Sequence, residues 1–451
     1  MKKIGVIGGG PAGAVLAARL KALGYDVVLV TKARRRPVWE GLSARAAEGL
    51  RSAGFDRALL STRTFARRFS CWHGHLERAN GEYLIEKQAL ERALQRDLAD
   101  MDVALKPGVV RHSARLDNGW LMTVCDEDGR QQIIAVDYLV YACGRTGGDS
   151  VGALSGPVSV MLSQSFSARL GCEPFTCIEP FEDGWAWATW NGADHASLHI
   201  TVASALVSTL GCQNGFTSSC HKLEEIQKMI GARPLAASPV CARASRPFLK
   251  RSLADAWHLK VGDAAYTVDP LSGHGMYEAI SGAYAAVPVI HTLLERPQDA
   301  ELALRFYRDR AQSLFTQRVK SGLEMYQGEK RWTDRSFWAE RSRDIAGSMN
   351  VQPELPGRPH FVKKPVVENG WIVEREVLLS TGYPQGVRFM DGVDLSQLYR
   401  RISTTQNTGL HQLSEEFRVS PQQVTSAVQS LVQAGLALDL SHEKYKKDSV
   451  F

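Results

Sequence analysis

Residues 4–32 read IGVIGGGPAGAVLAARLKALGYDVVLVTK, and this stretch decides the fold. A short apolar run, Ile4–Ile7, ends in Gly8-Gly9-Gly10-Pro11-Ala12-Gly13. A helical stretch follows over Ala14–Leu23, then Gly24, then a second apolar run, Val27–Val30. The order is strand, glycine turn, helix, strand, which is the context that gives a GxGxxG pattern meaning. Gly8 permits the tight turn, Gly10 lets a pyrophosphate approach the backbone, and Gly13 allows the helix to pack close on the strand. Pro11 and Ala12 start the helix, whose free N–H groups and positive dipole end suit phosphate. One place departs from the pattern. The second strand usually ends in a carboxylate for the adenosine ribose; here Thr31-Lys32 stands there, a hydroxyl and a cation instead.

The 451 residues suffice for two or three domains with sizeable cores. A net charge of +6 is too weak to argue for nucleic acid. No apolar stretch approaches the roughly 20 residues that cross a bilayer, and no signal peptide precedes the first strand. Eight scattered cysteines without a CxxC pair read as reduced thiols, so a cytoplasmic location is expected. His73-Gly74-His75 lacks neighbouring ligands, so no metal is expected.

Beyond the first unit, 38–60 reads as a turn and an amphipathic helix. Residues 83–99 show helical apolar spacing through Leu90, Leu94 and Leu98. Val103–Arg111, Trp120–Val124 and Asp137–Val140 read as strands. Alternation over Gly184–Trp190 and Ala196–Ala203 predicts a sheet, and 276–294 and 299–330 read as long helices. The predicted architecture is α/β: a Rossmann-like dinucleotide-binding domain over 1–150 and 250–345, with a mixed β-sheet substrate domain inserted at 151–249. A linker at 346–392 and a winged-helix-like C-terminal α domain at 393–451 complete it. In the last of these, Leu395–Ile402, Gly409–Phe417 and Ser420–Ala434 are helix-like and GLALDL (435–440) strand-like. Its would-be recognition helix, PQQVTSAVQSLVQAG, carries no Arg or Lys, which disfavours DNA. Partner docking and plain packing both remain open for it.

A second glycine turn narrows the cofactor. Gly262-Asp263-Ala264-Ala265 follows a strand, and Asp269-Pro270-Leu271-Ser272-Gly273-His274-Gly275-Met276 opens a helix. An Asp at a strand end accepts from sugar-type hydroxyls, and N–H groups at a helix start stabilise negative charge. A nicotinamide dehydrogenase needs no such second site. The ribityl chain and N1–C2=O edge of a flavin use both.

GGGPAG, the Tyr141–Arg145 strand end, GDAA and DPLSGHGM together resemble the flavoprotein monooxygenases related to para-hydroxybenzoate hydroxylase and the flavin-dependent tryptophan halogenases, over about residues 1–340. VWEGLSARAAEGLRSAGF (38–55), GWAWATW (184–190) and YQGEKRWTDRSFWAER (326–341) resemble the branch that forms tryptophylquinones by hydroxylating a tryptophan within a partner subunit. The resemblance implies FAD, with its pyrophosphate at Gly8, Gly10, Pro11, Ala12 and Gly13, and Arg45 near the phosphates or merely solvated; at the end of the second strand Thr31 can hydrogen-bond a hydroxyl and Lys32 can meet a phosphate. It further implies Val110 beside the adenine, Gly144 and Arg145 closing the mononucleotide side, and Asp263 on the ribityl chain or pyrophosphate. Pro270, Gly273, His274, Gly275 and Met276 would flank the ring.

The catalytic candidates are Pro270, His274 and Trp187. His274 has a near-neutral ordinary pKa, though a purely backbone role at the turn is the alternative. Trp185 and Trp187 share a strand face, either to stack on an indole-bearing peptide or to pack. Cys143 reads as a small buried residue.

The expected chemistry is attack by an electron-rich indole on a C4a-hydroperoxyflavin kept dry by the protein. Electrons would come from transiently bound NAD(P)H or a separate reductase, since no second GxGxxG appears. Against a halogenase stand the missing Ile-Pro after Trp185-Ala186-Trp187 and the absence of any lysine between Lys32 and Lys87. The rival is a hydroxylase, reductase or halogenase acting on a free aromatic or prenyl compound.

Overall fold

The computed structural model describes residues 1–33, 38–60, 64–146, 154–167, 169–230, 235–343, 358–404 and 409–436. The chain divides into two compact units, Met1–Ala300 with Tyr307–Met349, and Asn350–Phe451 with Glu301–Phe306.

The first unit is built on a five-stranded parallel sheet in the order His258–Lys260, Tyr138–Tyr141, Lys3–Ile7, Asp26–Thr31, Ala104–Pro107. Ile4, Val6, Val27 to Val30, Leu139 and Val140 are buried. Continuous apolar runs, rather than alternation, suit strands covered on both faces. On one side a three-stranded antiparallel sheet (Val109–Leu116, Gly119–Cys125, Gln131–Val136) packs Met122, Val124, Ile134 and Val136 onto Val28, Val30 and Leu139. The helix Pro11–Ala22 packs beside the long helix Gly275–Glu295.

The run expected as one strand over Val103–Arg111 is two. Gly108, at φ +144, ends the parallel strand and starts the antiparallel one, and a Cβ there would stand 2.6 Å from the Cys125 carbonyl oxygen. Helix was expected from 83, but it starts at Lys87. Glu77–Glu86 is a strand paired with both Thr64–Ser70 and Trp39–Leu42.

Those pairings correct the domain boundaries. The large mixed sheet is not confined to 151–249. Its strands Ser159–Ser167, His195–Ala203, Gly184–Trp190 and Phe175–Phe181 continue, through a parallel Phe175–Phe181/Thr64–Ser70 pairing, into Glu77–Glu86 and Trp39–Leu42. Strands from both sides of 150 thus share one ladder. Helices Ser204–Cys220 and Glu224–Ile230 cover one face, setting Phe216, Ile226 and Ile230 against Phe181, Trp190 and Leu198.

The linker expected at 346–392 is also corrected. Residues 346–357 lie outside the described residues, but His360–Glu368, Trp371–Ser380 and Tyr383–Val387 form an antiparallel sheet, followed by the short hairpin Phe389–Met390/Val393–Asp394. The first turn is Asn369-Gly370, both at positive φ (49° and 82°). This two-residue turn matches the twist of the strands it joins. Helices Leu395–Thr404, Leu410–Phe417 and Pro421–Gln433 bury Leu398, Leu413, Val424, Val428 and Leu431 with Leu378 of the sheet. Ser420 caps the last helix in a reciprocal capping box with Gln423. Of the strand-like GLALDL, residues 437–440 lie outside the described residues. Replacing Gly370 by Val puts a branched side chain at φ +82. This is expected to destabilise the second unit by about 1–2 kcal/mol, read as a lower urea midpoint.

Candidate functional site

The first glycine turn has the close contacts that its sequence demands. Gly8 sits at φ +114, with its N–H donating to the Val30 carbonyl at 2.8 Å. A Cβ on Gly8 would stand 2.4 Å from the Ala142 carbonyl oxygen, and one on Gly13 would stand 1.9 Å from the Gly8 carbonyl oxygen. Gly9 lies against Thr31, whose Oγ1 would be 2.5 Å from its Cβ. Thr31 therefore braces the turn, while Lys32 is exposed beside it. Gly10 is different: it caps the helix, and a Cβ there would meet nothing within 4 Å. The helix begins with Pro11 and buried Ala12.

The second turn converges on the first. A Cβ on Gly262, at φ +62, would lie 2.9 Å from Ala12 Cβ and 3.6 Å from Ala279 Cβ, so the starts of helices Pro11–Ala22 and Gly275–Glu295 meet at this point. Beside it is a small cleft lined by Gly262, Asp263, Gly275, Glu278 and Ala279. Asp263 pairs with Arg145 (Oδ2 to Nε 3.4 Å), which also donates to the Ala244 carbonyl at 2.9 Å. Gly144, at φ +70, opens onto free space, as does Gly275. Two helix starts, a carboxylate and glycines facing open room fit an extended dinucleotide with polyol hydroxyls.

Pro270 begins a tight turn that Asp269 caps by accepting the Leu271 N–H at 2.9 Å. Gly273 takes the left-handed conformation at φ +63, and the Arg68 guanidinium lies 3.7 Å from where its Cβ would be. His274 is the N-cap of the long helix; its carbonyl accepts the Glu278 N–H at 2.9 Å. Met276 is half-buried. Val110 is half-buried in the apolar cluster with Val28 and Val30, so its side chain is committed to packing. Arg45 is exposed on the helix Ala44–Ser52. Burial pushes the Cys143 thiol up, away from the nucleophilic thiolate.

The sheet face opposite the two covering helices is unusually polar. Cross-strand registry puts Ser163, His199, Trp187 and Ile178 in one row, and Ser197, Thr189 and Thr176 in the next. Trp185 is 3% exposed among Trp72, Phe337 and Trp338, so it packs and has no face to offer a peptide. Its Nε1–H donates to Tyr326 Oη at 3.1 Å, and the Tyr326 hydroxyl donates to Asp269 Oδ2 at 3.0 Å. Trp187 stays partly open, its ring 5.3 Å from that of His199. His199 lies between Ser163 Oγ and Ser197 Oγ, each at 3.2 Å. Burial lowers its pKa to about 4, so the imidazole is neutral.

The sequence alone assigns no site role to Asp269, Arg68, Tyr326 or His199. Asp269 had a local signal, standing one residue before Pro270. The others arrive by sheet registry or from a distant helix.

Residues 1–147 match the model of an FAD binding domain. Digeranylgeranylglycerophospholipid reductase 2 of Methanopyrus kandleri is 23% identical over 346 residues, 71% of this chain and 84% of that one. Among solved structures, a peptidyl tryptophan dihydroxylase, QhpG, essential for tryptophylquinone cofactor biogenesis, is 32% identical with a TM-score of 0.80. It covers 97% of this chain and 100% of its own. The flavin-dependent halogenase CmlS is 18% identical with a TM-score of 0.77, over 96% and 95%, a likeness of fold.

Proposed function

The chain belongs to the FAD-dependent monooxygenases of the para-hydroxybenzoate hydroxylase and halogenase-like superfamily, and we propose that it hydroxylates a tryptophan side chain of a partner subunit during tryptophylquinone biogenesis. The observation that carries this reading is the 32% identity over essentially the whole of both chains with a dihydroxylase of peptidyl tryptophan. The absence of lysine between Lys32 and Lys87 supports hydroxylation over halogenation, since no amine from that stretch can hold a halogenating species.

FAD, once bound and reduced, supplies the oxygen-transferring chemistry. The chain's own residues position and protect it. The N–H groups of Gly10, Ala12 and Gly13 would receive the pyrophosphate, with Lys32 and Arg45 as the cations for it. Asp263, oriented by Arg145, accepts from the ribityl hydroxyls. The turn Pro270–Met276 would flank the ring, with the helix start at Gly275 offering a positive dipole end to negative charge on it. Pro270 and His274 fix that turn. Trp187 is the aromatic surface left open for an indole. The packed cluster of Trp72, Trp185, Trp332, Phe337 and Trp338 excludes water from this side. Electrons come from NAD(P)H or a separate reductase. A cytoplasmic setting is part of the reading, supported by eight cysteines none of which is in a disulfide; among the described residues no helix is long and apolar enough to cross a membrane.

The test is mass spectrometry of a tryptophan-bearing partner subunit after incubation with the protein, FAD, NADH and ¹⁸O₂. Labelled oxygen on tryptophan is expected. An unmodified subunit alongside a labelled free aromatic or prenyl compound would replace this reading with small-molecule oxidation.

A further inference from the structure

Beside the Pro270 turn runs a narrow cleft whose wall includes Ser159, Asp269, Arg318, Tyr326, Arg341 and Arg343. Asp269 is partly exposed on this cleft, and Arg343 stands exposed at its rim. Tyr326, on the helix Ala300–Gly328, is buried and uses its hydroxyl in both directions, accepting from Trp185 and donating to Asp269. Arg341 is buried with its guanidinium on Ser159 Oγ (2.6 Å) and the Phe337 carbonyl (2.9 Å). A carboxyl one residue from the turn assigned to the flavin ring, joined to a hydroxyl and open to a cleft that reaches the surface, is a route for protons.

We propose that Asp269 and Tyr326 form the proton relay of the hydroxylation, passing the proton released by the substrate ring to the cleft. The proposal rests on the hydroxylase reading above. In each hydroxylation a C–O bond forms at a ring carbon, that carbon's C–H bond breaks, and its electron pair returns to the ring. The proton must leave. The other atom of dioxygen departs as water, taking a hydride from the nicotinamide reductant together with one proton from solvent, and the oxygen left on the ring takes a second solvent proton to become the hydroxyl. A base that holds the ring proton and exchanges it with solvent serves this balance. Asp269 is suited to it by opposed influences: burial raises its pKa, while the Leu271 N–H, the Tyr326 hydroxyl, Arg341 and Arg145 hold it down. Arg318 shares the cleft wall but is paired with Glu278 at 2.7 Å. Asp269 and Tyr326 are relay and positioning residues here, and no contact with substrate is required of them.

The experiment uses the full-length protein with Asp269→Asn and Tyr326→Phe. Isotope-edited infrared spectra of ¹³C-aspartate-labelled protein are titrated from pH 4 to 9. The wild type is expected to show a protonated carboxylic acid band that persists above the ordinary aspartate range and vanishes in Asp269→Asn. Tyr326→Phe, which keeps the carboxyl, should shift that titration. Absence of the band from the wild type overturns the relay. On a tryptophan substrate that the wild type hydroxylates, single-turnover rates should rise with pH through the Asp269 titration. Asp269→Asn should lower the plateau on the order of a hundredfold and flatten the profile while retaining the bound-flavin spectrum. Tyr326→Phe should move the limb, a change that lost packing alone would not produce. A wild-type limb surviving in both variants overturns the relay. If no tryptophan substrate is hydroxylated, the functional reading fails separately, and the infrared titration still decides whether Asp269 is a proton-holding group tuned by Tyr326.

Discussion

Gly13→Ala is expected to yield a protein that purifies without yellow colour, and Gly10→Ala one that is colourless yet fully stable. The two glycines are three residues apart but constrained from opposite sides. A methyl on Gly13 would stand 1.9 Å from the Gly8 carbonyl oxygen, far inside contact distance, so the first helix must move off the strand. Gly8 cannot yield, because it is itself pinned by the Ala142 carbonyl and by its hydrogen bond to Val30. Loss of FAD affinity by at least about a hundredfold, roughly 2.7 kcal/mol, should accompany a lower urea midpoint of the apoprotein, since overpacking of this kind costs about 1–3 kcal/mol. Gly10 faces open room and has extended backbone (φ −73, ψ −179) that alanine adopts readily. Its methyl takes only the space assigned to the pyrophosphate. Flavin titration followed by absorbance, with urea unfolding of both apoproteins, separates the two effects. A Gly10→Ala protein that binds FAD like the wild type would move the pyrophosphate away from this turn.

How much was legible in the sequence depended on how local each feature is. The strand, glycine turn and helix over 4–32 could be read directly because every determinant lies within thirty residues and each glycine has a separate steric duty. Gly262 and the Pro270–Met276 turn were legible for the same reason. The large sheet was not. Its parallel junction sets Phe175–Phe181 beside Thr64–Ser70, a pairing over a hundred residues apart that no local period encodes. Arg68 reaches Gly273 only because of that junction. The segment at 360–390 hid for another reason. Its prolines, glycines and charges suggest a linker, but alternation within an antiparallel pair leaves polar residues outward, and Asn369-Gly370 is the local hairpin signal. The tyrosine on Asp269 comes from residue 326, and only packing brings it there.

The same polar sheet face gives a pH dependence whose sign follows from His199. In the folded chain this imidazole is buried between two serine hydroxyls and its pKa falls to about 4, against about 6.5 when unfolded. Between those values the unfolded chain binds a proton that the folded chain refuses. Stability therefore rises with pH across this window. It is lost as pH falls from about 6.5 toward 4, and levels off below that. The size is on the order of 3 kcal/mol at 1.36 kcal/mol per pKa unit. Other groups titrate nearby and with mixed signs: burial lowers His195 and His291 in the same sense, while it raises Glu179 and Asp269, which favours low pH. The informative quantity is thus a difference. His199→Asn retains an amide that can meet both serines but cannot titrate. It should be less stable than the wild type at pH 7.5, because the volume of the ring beside Trp187 is lost, yet the gap should close or reverse at pH 4.5. Urea unfolding of both proteins at the two pH values reads this directly. A gap that stays constant with pH would mean that His199 keeps its proton on folding, and with it an acid partner on this sheet face. The neutral imidazole between Ser163 and Ser197 would then have to be abandoned.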